Sequence, residues 1–487
     1  MNDMTFAVAG TQDETARMQA VLQRQKAAQI RDGIPSLETR INRIDRCIGL
    51  LVDHAEQIAD AVAQDFSCRP RESTLMTDVA GSIGPLKEAK ANVAKWMRAE
   101  KRKTTPALLG LFGAKAELRY QPKGTVGVIS PWNFPVNLTF GPLAQILAAG
   151  NRAMIKPSEL TPATSELMKT MFEKAFPEEE IAVFTGGPEV GQAFARLAFD
   201  HLIFTGGTAI GRRVMMAAAE NLVPVTLELG GKSPVVIGAS ADLETAAARI
   251  MTGKTLNAGQ ICLAPDYLLV PEAQRDTLVE GLKKAVTAMF AKVRDNPDYT
   301  AIVSPRHFDR LKALVDDARA KGATVVEINP AGEDFAAQNG RKVPPTLILD
   351  PTEEMLAMQE EIFGPVLPVK TYRTVQEAVA YINAKDRPLG LYYFGNDPAE
   401  QEYVLSNTIS GGVTVNDVIF HVAMEDLPFG GVGPAGMGAY HGFDGFKEFS
   451  HARGIYTQLK KDLGPMKALR PPYGKAMRDY LAQQIKR

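Results

Sequence analysis

Two short segments carry the residue types of acyl-transfer chemistry. Asn257-Ala258-Gly259-Gln260-Ile261-Cys262-Leu263 sets a thiol among small and amide-bearing neighbours, and Glu228-Leu229-Gly230-Gly231-Lys232 upstream sets a carboxylate beside apolar and glycine residues. Sulfur is nucleophilic near neutral pH and is a good leaving group, while a carboxylate in an apolar setting has its pKa raised toward the working pH of a base. Together they suit a thioester sequence in which Cys262 attacks a carbonyl and Glu228 activates the water that releases the acyl group. Taken alone, Cys262 is equally readable as a structural cysteine, because free cysteine is among the most buried residue types.

A third segment suits a dinucleotide. Phe204-Thr205-Gly206-Gly207-Thr208-Ala209-Ile210-Gly211 follows an apolar run and opens a helical pattern that continues to about Asn221. Glycine lets backbone approach a pyrophosphate, and a helix start offers unpaired N–H groups and partial positive charge. An ordinary glycine-rich turn is the alternative. The G-x-G-x-x-G match at Gly431-Val432-Gly433-Pro434-Ala435-Gly436 is set aside, since no strand pattern precedes it and no long helix follows. Gly231-Lys232-Ser233 and Gly253-Lys254-Thr255 lack the upstream glycine of a nucleotide-triphosphate loop, with Thr226 and Ala248 in its place.

The elements around these segments alternate. Up to about Arg98 the pattern is helical, with Ile41, Ile44, Ile48 and Leu51 along one face. From Thr125 the expected order is strand Thr125 to Ser130, helix Val136 to Ala149, strand Arg152 to Ile155, helix Ala163 to Phe176, strand Ile181 to Phe184, a short helix from Glu189 and strand His201 to Phe204. Such alternation implies a parallel sheet with crossover helices, hence a doubly wound α/β domain. A second α/β stretch follows, with strand Val235 to Gly238 and a helix from Leu243 toward Asn257. Lys101 to Gln121 breaks the pattern and turns to Ala116-Glu117-Leu118-Arg119-Tyr120, a hairpin or arm.

Composition bounds the rest. A chain of 487 residues, 45% hydrophobic and with a formal charge of −1, is long enough for two or three domains. The near-neutral balance gives no basic footprint for nucleic acid. Three cysteines, Cys47, Cys68 and Cys262, argue for a reducing compartment and against a disulfide framework. Met1 to Gly10 lacks a basic region and a long apolar run, so the expected location is cytoplasmic; no window reaches the ~18 apolar residues of a membrane span. Lys460 to Arg487 holds eight basic and two acidic residues, read as a solvated tail or a subunit contact. The six histidines form no ligand spacing with the cysteines, and no metal is expected.

Pro131-Trp132-Asn133-Phe134-Pro135, Glu360-Glu361-Ile362-Phe363-Gly364-Pro365 and Pro428-Phe429-Gly430-Gly431 join the cysteine and glutamate segments in an order that resembles the aldehyde dehydrogenase superfamily. Ser410 to Asp417 and Leu427 to Gly442 resemble its class 3 branch, and within it the bacterial coniferyl aldehyde dehydrogenases. The resemblance implies a cofactor domain over 1–103 and 122–230, a catalytic domain over 231–428, and an oligomerisation arm and tail over 104–121 and 429–487. It also implies oxidation of a small-molecule aldehyde to an acid by a homodimer.

By the same resemblance Cys262 is the nucleophile, Glu228 the deacylation base, and Asn133 an oxyanion donor beside the backbone N–H of Cys262. Ser130, Trp132, Phe204, Gly206, Gly207, Thr208, Gly211 and Leu229 are then cofactor-binding. Lys156, Ser158 and Glu159 match the adenosine-ribose site, where a carboxylate favours NAD over NADP. Glu361 and Phe363 match the nicotinamide ribose and ring contacts. Pro142 stands where many members carry a lysine, a departure that leaves NADP acceptable as well. Phe134, Asn137, Leu138, Ile261, Leu263 and Phe429 are implied to line the aldehyde tunnel, an apolar wall with one amide suited to an aromatic aldehyde such as coniferaldehyde. A medium- or long-chain aliphatic aldehyde is the alternative. A CoA-acylating enzyme would lack the Glu228 base, and a catalytically dead relative would not keep Cys262, Glu228 and Asn133 together.

Overall fold

The computed structural model describes residues 2–338, 340–462, 464–467 and 469–486. Met1, Asn339, Leu463, Ala468 and Arg487, which the sequence-derived domains include, lie outside the described residues.

Six strands build the first sheet, in the order Gly436–Met437, Val225–Leu229, His201–Gly206, Thr125–Ile129, Arg152–Lys156 and Ile181–Val183. All neighbours are parallel except the first pair, where Gly436 lies opposite Glu228 in an antiparallel match. The chain enters the sheet at Thr125–Ile129, moves outward through the next two strands, and then returns to the other side at His201–Gly206. That reversal is a switch point, where the carboxyl ends of adjacent strands diverge and leave a crevice. Ile129 and Gly206 stand at its two lips. Helices Asn137–Ala148, Pro162–Ala175 and Thr208–Ala219 follow their strands as the alternating pattern requires, each within one or two residues of its expected limits. Residues 152–156 are buried throughout, as expected of a strand covered on both faces.

The second sheet has seven strands, ordered Thr324–Glu327, Thr346–Leu349, Val366–Tyr372, Tyr267–Pro271, Pro234–Ile237, Gly390–Phe394 and Gly412–Val415, parallel but for the first pair. Helix Leu243–Thr255, capped by Asp242, packs over Val235, Leu268 and Val369. It runs directly into the segment that carries Cys262.

The chain forms two compact units. Met1–Trp96 with Pro122–Ser450 holds both sheets; Met97–Gln121 with His451–Arg487 forms the second. The second unit contains a small sheet built from Glu100–Arg102, Lys115–Pro122 and Ser450–Thr457. Its limits differ from the 104–121 and 429–487 drawn from the sequence. Glu100–Arg102 pairs antiparallel with Lys115–Pro122, which moves the first limit back, and the pairing of Gly436 with Glu228 keeps 429–450 in the first unit. Among the described residues no helix is long and apolar enough to cross a membrane.

Candidate active site

A cleft of about 1460 Å³ opens at the switch point. Its walls come from the segments 129–133, 156–160, 204–207, 228–230 and 304–307, with Cys262, Glu361 and Phe363. The residues read as nucleophile, base and oxyanion donor therefore share one cavity with Ser130, Trp132, Lys156, Ser158, Glu159, Phe204, Gly206, Gly207 and Leu229.

Cys262 is delivered by an unusual piece of backbone. After the helix Leu243–Thr255, Asn257, Ala258 and Gly259 all take positive φ, at 49°, 52° and 72°. Left-handed conformation costs roughly 1–2 kcal/mol per residue with a Cβ, so Ala258 in particular must be held by its surroundings. Gly259 is obligatory for a second reason: a Cβ there would lie 2.4 Å from the carbonyl oxygen of Gly364. Buried Gln260 ties the turn down, donating to Asn257 O at 2.9 Å and Ala301 O at 3.1 Å and accepting from Val303 N at 3.0 Å. The sulfur is left partly exposed to the cleft. Burial, followed by the neighbouring Glu361 and Glu228 carboxyls, raises the thiol pKa, while the N–H groups of Cys262 and Leu263 pull it down.

Asn133 joins this turn to the first sheet. Its Nδ2 donates to Gln260 O at 3.1 Å, and its carbonyl accepts from Asn257 Nδ2 at 3.1 Å and Arg69 Nη1 at 2.7 Å. An amide nitrogen has two N–H groups, so one remains for an oxygen beside Cys262. Arg69 pairs with Asp78 at 2.6 Å, both side chains being fully buried. Asp78 lies in the π-helical turn Leu75–Ala80, and its other oxygen accepts from the N–H groups of Val136 and Asn137 at the start of the helix Asn137–Ala148. The pair thus grips both ends of the Asn133 loop. Burial pushes each partner toward its neutral form, and each opposes that shift in the other.

Glu228 is 3% exposed, and neither of its carboxyl oxygens has a hydrogen-bond partner. Burial, with Glu448 second, raises its pKa well above the usual carboxylate range. The glycine-rich match set aside in the sequence has its structural role here. A Cβ at Gly436 would stand 2.0 Å from Leu227 O and one at Gly431 2.0 Å from Ala435 O, so only glycine lets this segment lie against the strand that carries Glu228.

Glu361 is held over Gly230, where a Cβ would come within 2.2 Å of its carboxyl group. Its loop is fastened by Arg310, which donates to the carbonyls of Glu361 and Ile362, by Lys232, which donates to Glu360 O at 2.9 Å, and by Asp266, which accepts from Ile362 N at 2.9 Å. Burial first, then Asp266, pushes Glu361 up to about 8. Phe363, at φ 48°, meets Trp132 edge-on with centroids 5.3 Å apart.

The dinucleotide fits what remains. Helix Thr208–Ala219 begins at Gly207 with no side-chain cap, which leaves its first N–H groups for an anion. One oxygen of Glu361 is buried without a partner. Lys156 Nζ lies 3.6 Å from the Glu159 carboxylate and donates to Pro157 O at 2.7 Å, so this cation on the cleft wall is already engaged. Thr208 and Gly211 do not line the cleft: Thr208 donates to Pro434 O at 3.3 Å, and Gly211 gives Leu229 room against the helix, where a Cβ would meet its side chain at 2.6 Å.

Residues 5–455 match the aldehyde dehydrogenase family. The chain belongs to that family. It is 68% identical to a probable coniferyl aldehyde dehydrogenase of Caulobacter vibrioides over 97% of both chains, and 53% identical to a coniferyl aldehyde dehydrogenase of a Pseudomonas strain over 95% of both. Among solved structures, the substrate-bound state of Staphylococcus aureus AldH superposes with a TM-score of 0.88 at 35% identity, covering 96% of this chain and 99% of that one. A Mycobacterium tuberculosis aldehyde dehydrogenase complexed with NAD+ superposes with a TM-score of 0.81 at 27% identity, covering 92% of each chain.

Of the residues expected from the sequence to line an aldehyde tunnel, Leu138 lines the cleft, whereas Phe134, Asn137, Ile261, Leu263 and Phe429 are not among its lining residues. Ile261 and Leu263 are buried beside Cys262, and the Arg69 guanidinium covers the Phe134 ring at 4.8 Å. Asn137 Nδ2 faces Gly81, where a Cβ would come within 2.8 Å. Phe429 is buried among His421, Tyr440 and His441. Sequence reasoning missed Arg69, Asp78, Asp266 and Arg310. Each is a charged residue far along the chain from the group it supports, with no periodicity or motif to mark it.

Removing one partner of a buried ion pair leaves an uncompensated charge and costs about 3–5 kcal/mol, whereas replacing both with apolar residues costs less. Asp78→Leu and Arg69→Leu are each expected to lower the free energy of urea unfolding by about that much, and the double variant by less than either single one. Additive losses would show that the pair does not act as a unit.

Proposed function

We propose that this aldehyde dehydrogenase oxidises hydroxylated aromatic aldehydes such as coniferaldehyde to their acids, through a thioester on Cys262, with NAD preferred and NADP accepted. The observation that carries the mechanism is the meeting of Cys262, Glu228 and Asn133 in one cleft with the uncapped helix start after Gly207. The aromatic substrate is supported by the 68% and 53% identities to proteins named as coniferyl aldehyde dehydrogenases and by the aromatic wall around Phe429.

Cys262 gives up its thiol proton to water in the cleft and its Sγ adds to the aldehyde carbon. The developing oxyanion is held by the second N–H of the Asn133 amide and the backbone N–H of Cys262, each such donor being worth roughly 2.7–4 kcal/mol in the transition state. A dinucleotide held in the cleft would supply the hydride acceptor that oxidation of the thiohemiacetal to the thioester requires. Glu228 then removes a proton from water as it attacks the thioester carbon, the C–S bond breaks, and the acid leaves as the Cys262 thiolate takes up a proton. A buried carboxyl with no partner suits this part, because its raised pKa makes it a stronger base than a solvated one. Ser130, Trp132, Lys156, Ser158, Glu159, Phe204, Gly206, Gly207, Leu229, Glu361 and Phe363 hold the dinucleotide in this reading, with Thr208 and Gly211 shaping the helix start from behind.

In the same reading, 1–103 and 122–230 bind the cofactor, 231–428 supply the catalytic thiol, and the unit of arm and tail, 104–121 and 429–487, mediates a homodimer. Support for the dimer comes from Leu111, Phe112 and Tyr456, large apolar residues of that unit that are exposed. A cytoplasmic location is supported by the sparse, odd count of cysteines.

Glu159 opposes a 2′-phosphate and engages Lys156. Glu159→Gln is therefore expected to raise the NADP/NAD ratio of kcat/KM about fivefold, the equivalent of ~1 kcal/mol between charges at contact in water; an unchanged ratio would move the selector elsewhere. For the substrate, kcat/KM is expected to rank coniferaldehyde above hexanal and decanal. A ranking led by either alkanal would make the enzyme an aliphatic aldehyde dehydrogenase.

A further inference from the structure

A second set of polar side chains near Cys262 lacks partners. His441 is 6% exposed and its Nδ1 has no hydrogen-bond partner; the same is true of Nε2 of His421, which is 9% exposed, and of the buried Oε2 of Glu425. Buried polar atoms are almost always satisfied, so three orphans in one neighbourhood point to a group that arrives from outside.

The backbone brings them together. Gly442, at φ 49°, closes on residue 425 so tightly that a Cβ would lie 2.6 Å from Glu425 O. His441, immediately before it, has φ 120°, in a region that favours glycine, so its ring is held in place against local preference. Thr414 Oγ1 accepts from His421 N at 3.1 Å and shares a second hydrogen bond with Nδ1 at 2.8 Å, which fixes the His421 ring and leaves its Nε2 as the orphan.

Aromatic rings wall the group. Phe429 stacks on His441 with centroids 5.3 Å apart and planes at 23°, and Tyr440 meets Phe429 edge-on at 5.7 Å. Tyr392, 6.3 Å from His421, donates to Leu263 O at 2.6 Å, which joins the wall to the segment that carries Cys262. Burial first, then the charges of Glu228, Cys262 and Glu425, raises the pKa of the Tyr440 hydroxyl; all three groups are within electrostatic reach of that one side chain. Gly84 leaves the Glu425 carboxyl clear of the adjacent helix, where a Cβ would come to 3.4 Å.

We propose that His441 and Glu425 bind the ring hydroxyl of a hydroxylated aromatic aldehyde, while Phe429 and Tyr440 take the ring itself. The inference rests on the aromatic reading above and makes it specific. A phenol both donates and accepts, so a single hydroxyl can meet an orphan carboxyl oxygen and an orphan ring nitrogen together. Burial, with Glu88 second, holds Glu425 near 7, where a carboxyl group exchanges readily between accepting and donating. A site built to pair with a hydroxyl rejects the analogue that lacks it, because its own polar groups are then left unpaired.

The test compares kcat/KM for 4-hydroxycinnamaldehyde with that for cinnamaldehyde and for 4-methoxycinnamaldehyde. The wild-type enzyme is expected to favour the phenol over both by roughly tenfold or more. Glu425→Met and His441→Phe are each expected to bring the hydroxy-to-unsubstituted ratio to within about twofold; the ratio cancels any loss common to both substrates. Equal use of the methoxy and hydroxy compounds by the wild-type enzyme would overturn the proposal without relying on any variant. So would a ratio that survives in both variants, or one that collapses only in Asn137→Leu. If hexanal outperforms all three aromatic aldehydes, the aromatic reading itself fails, an outcome distinct from the others.

Discussion

The carbonyl oxygen of Asn133 receives Arg69 from one side and Asn257 from the other, at 2.7 and 3.1 Å, and the site depends on that junction. Three segments remote in sequence meet there: the Arg69–Asp78 pair, the loop that leaves the first sheet, and the left-handed turn before Cys262. Each has an unfavourable feature of its own, namely a desolvated charge pair, a buried amide at Asn133, and consecutive positive φ angles. The hydrogen bonds between them offset those costs jointly, so no one segment is expected to keep its geometry without the other two. The result is an amide and a thiol fixed relative to each other by backbone, which is the condition for a preorganised oxyanion site.

The charges follow the same logic. Glu228, Glu361 and Cys262 are acidic groups in one poorly solvated cavity, and burial disfavours the ionised form of each. Mutual repulsion adds to this for the thiol, which feels both carboxyl groups. The resting site therefore avoids accumulating negative charge. Glu361 is restrained through the backbone of its loop by Arg310, Lys232 and Asp266, so its loop position does not depend on its own protonation state.

Much of this was legible in the sequence. The alternating pattern located four of the six strands of the first sheet because fully buried parallel strands read as apolar runs between helices, but not Val225–Leu229 or Gly436–Met437, and the order that opens the cleft is a tertiary property. Cys262, Glu228 and Asn133 stood out because their neighbours are glycine, proline and amide residues, whose backbone demands are visible in one dimension. The supports were not legible. Arg69, Asp78 and Glu425 carry no mark in one dimension, since burial is a property of tertiary packing, and the close approach of Gly442 to Glu425 is visible only in the fold. The pairings of residues 100–102 with the strand that holds Leu118, and of Gly436 with Glu228, are non-local and leave no periodicity of their own.

The central claim is that Glu228 serves the second half of a two-stage reaction on Cys262. Rapid mixing of Glu228→Gln with aldehyde and NAD tests it directly. The account predicts a burst of NADH close to one per active site, followed by collapse of steady turnover, with mass spectrometry of the quenched protein finding the acyl group on Cys262. Wild-type steady turnover with no adduct on the sulfur would contradict it.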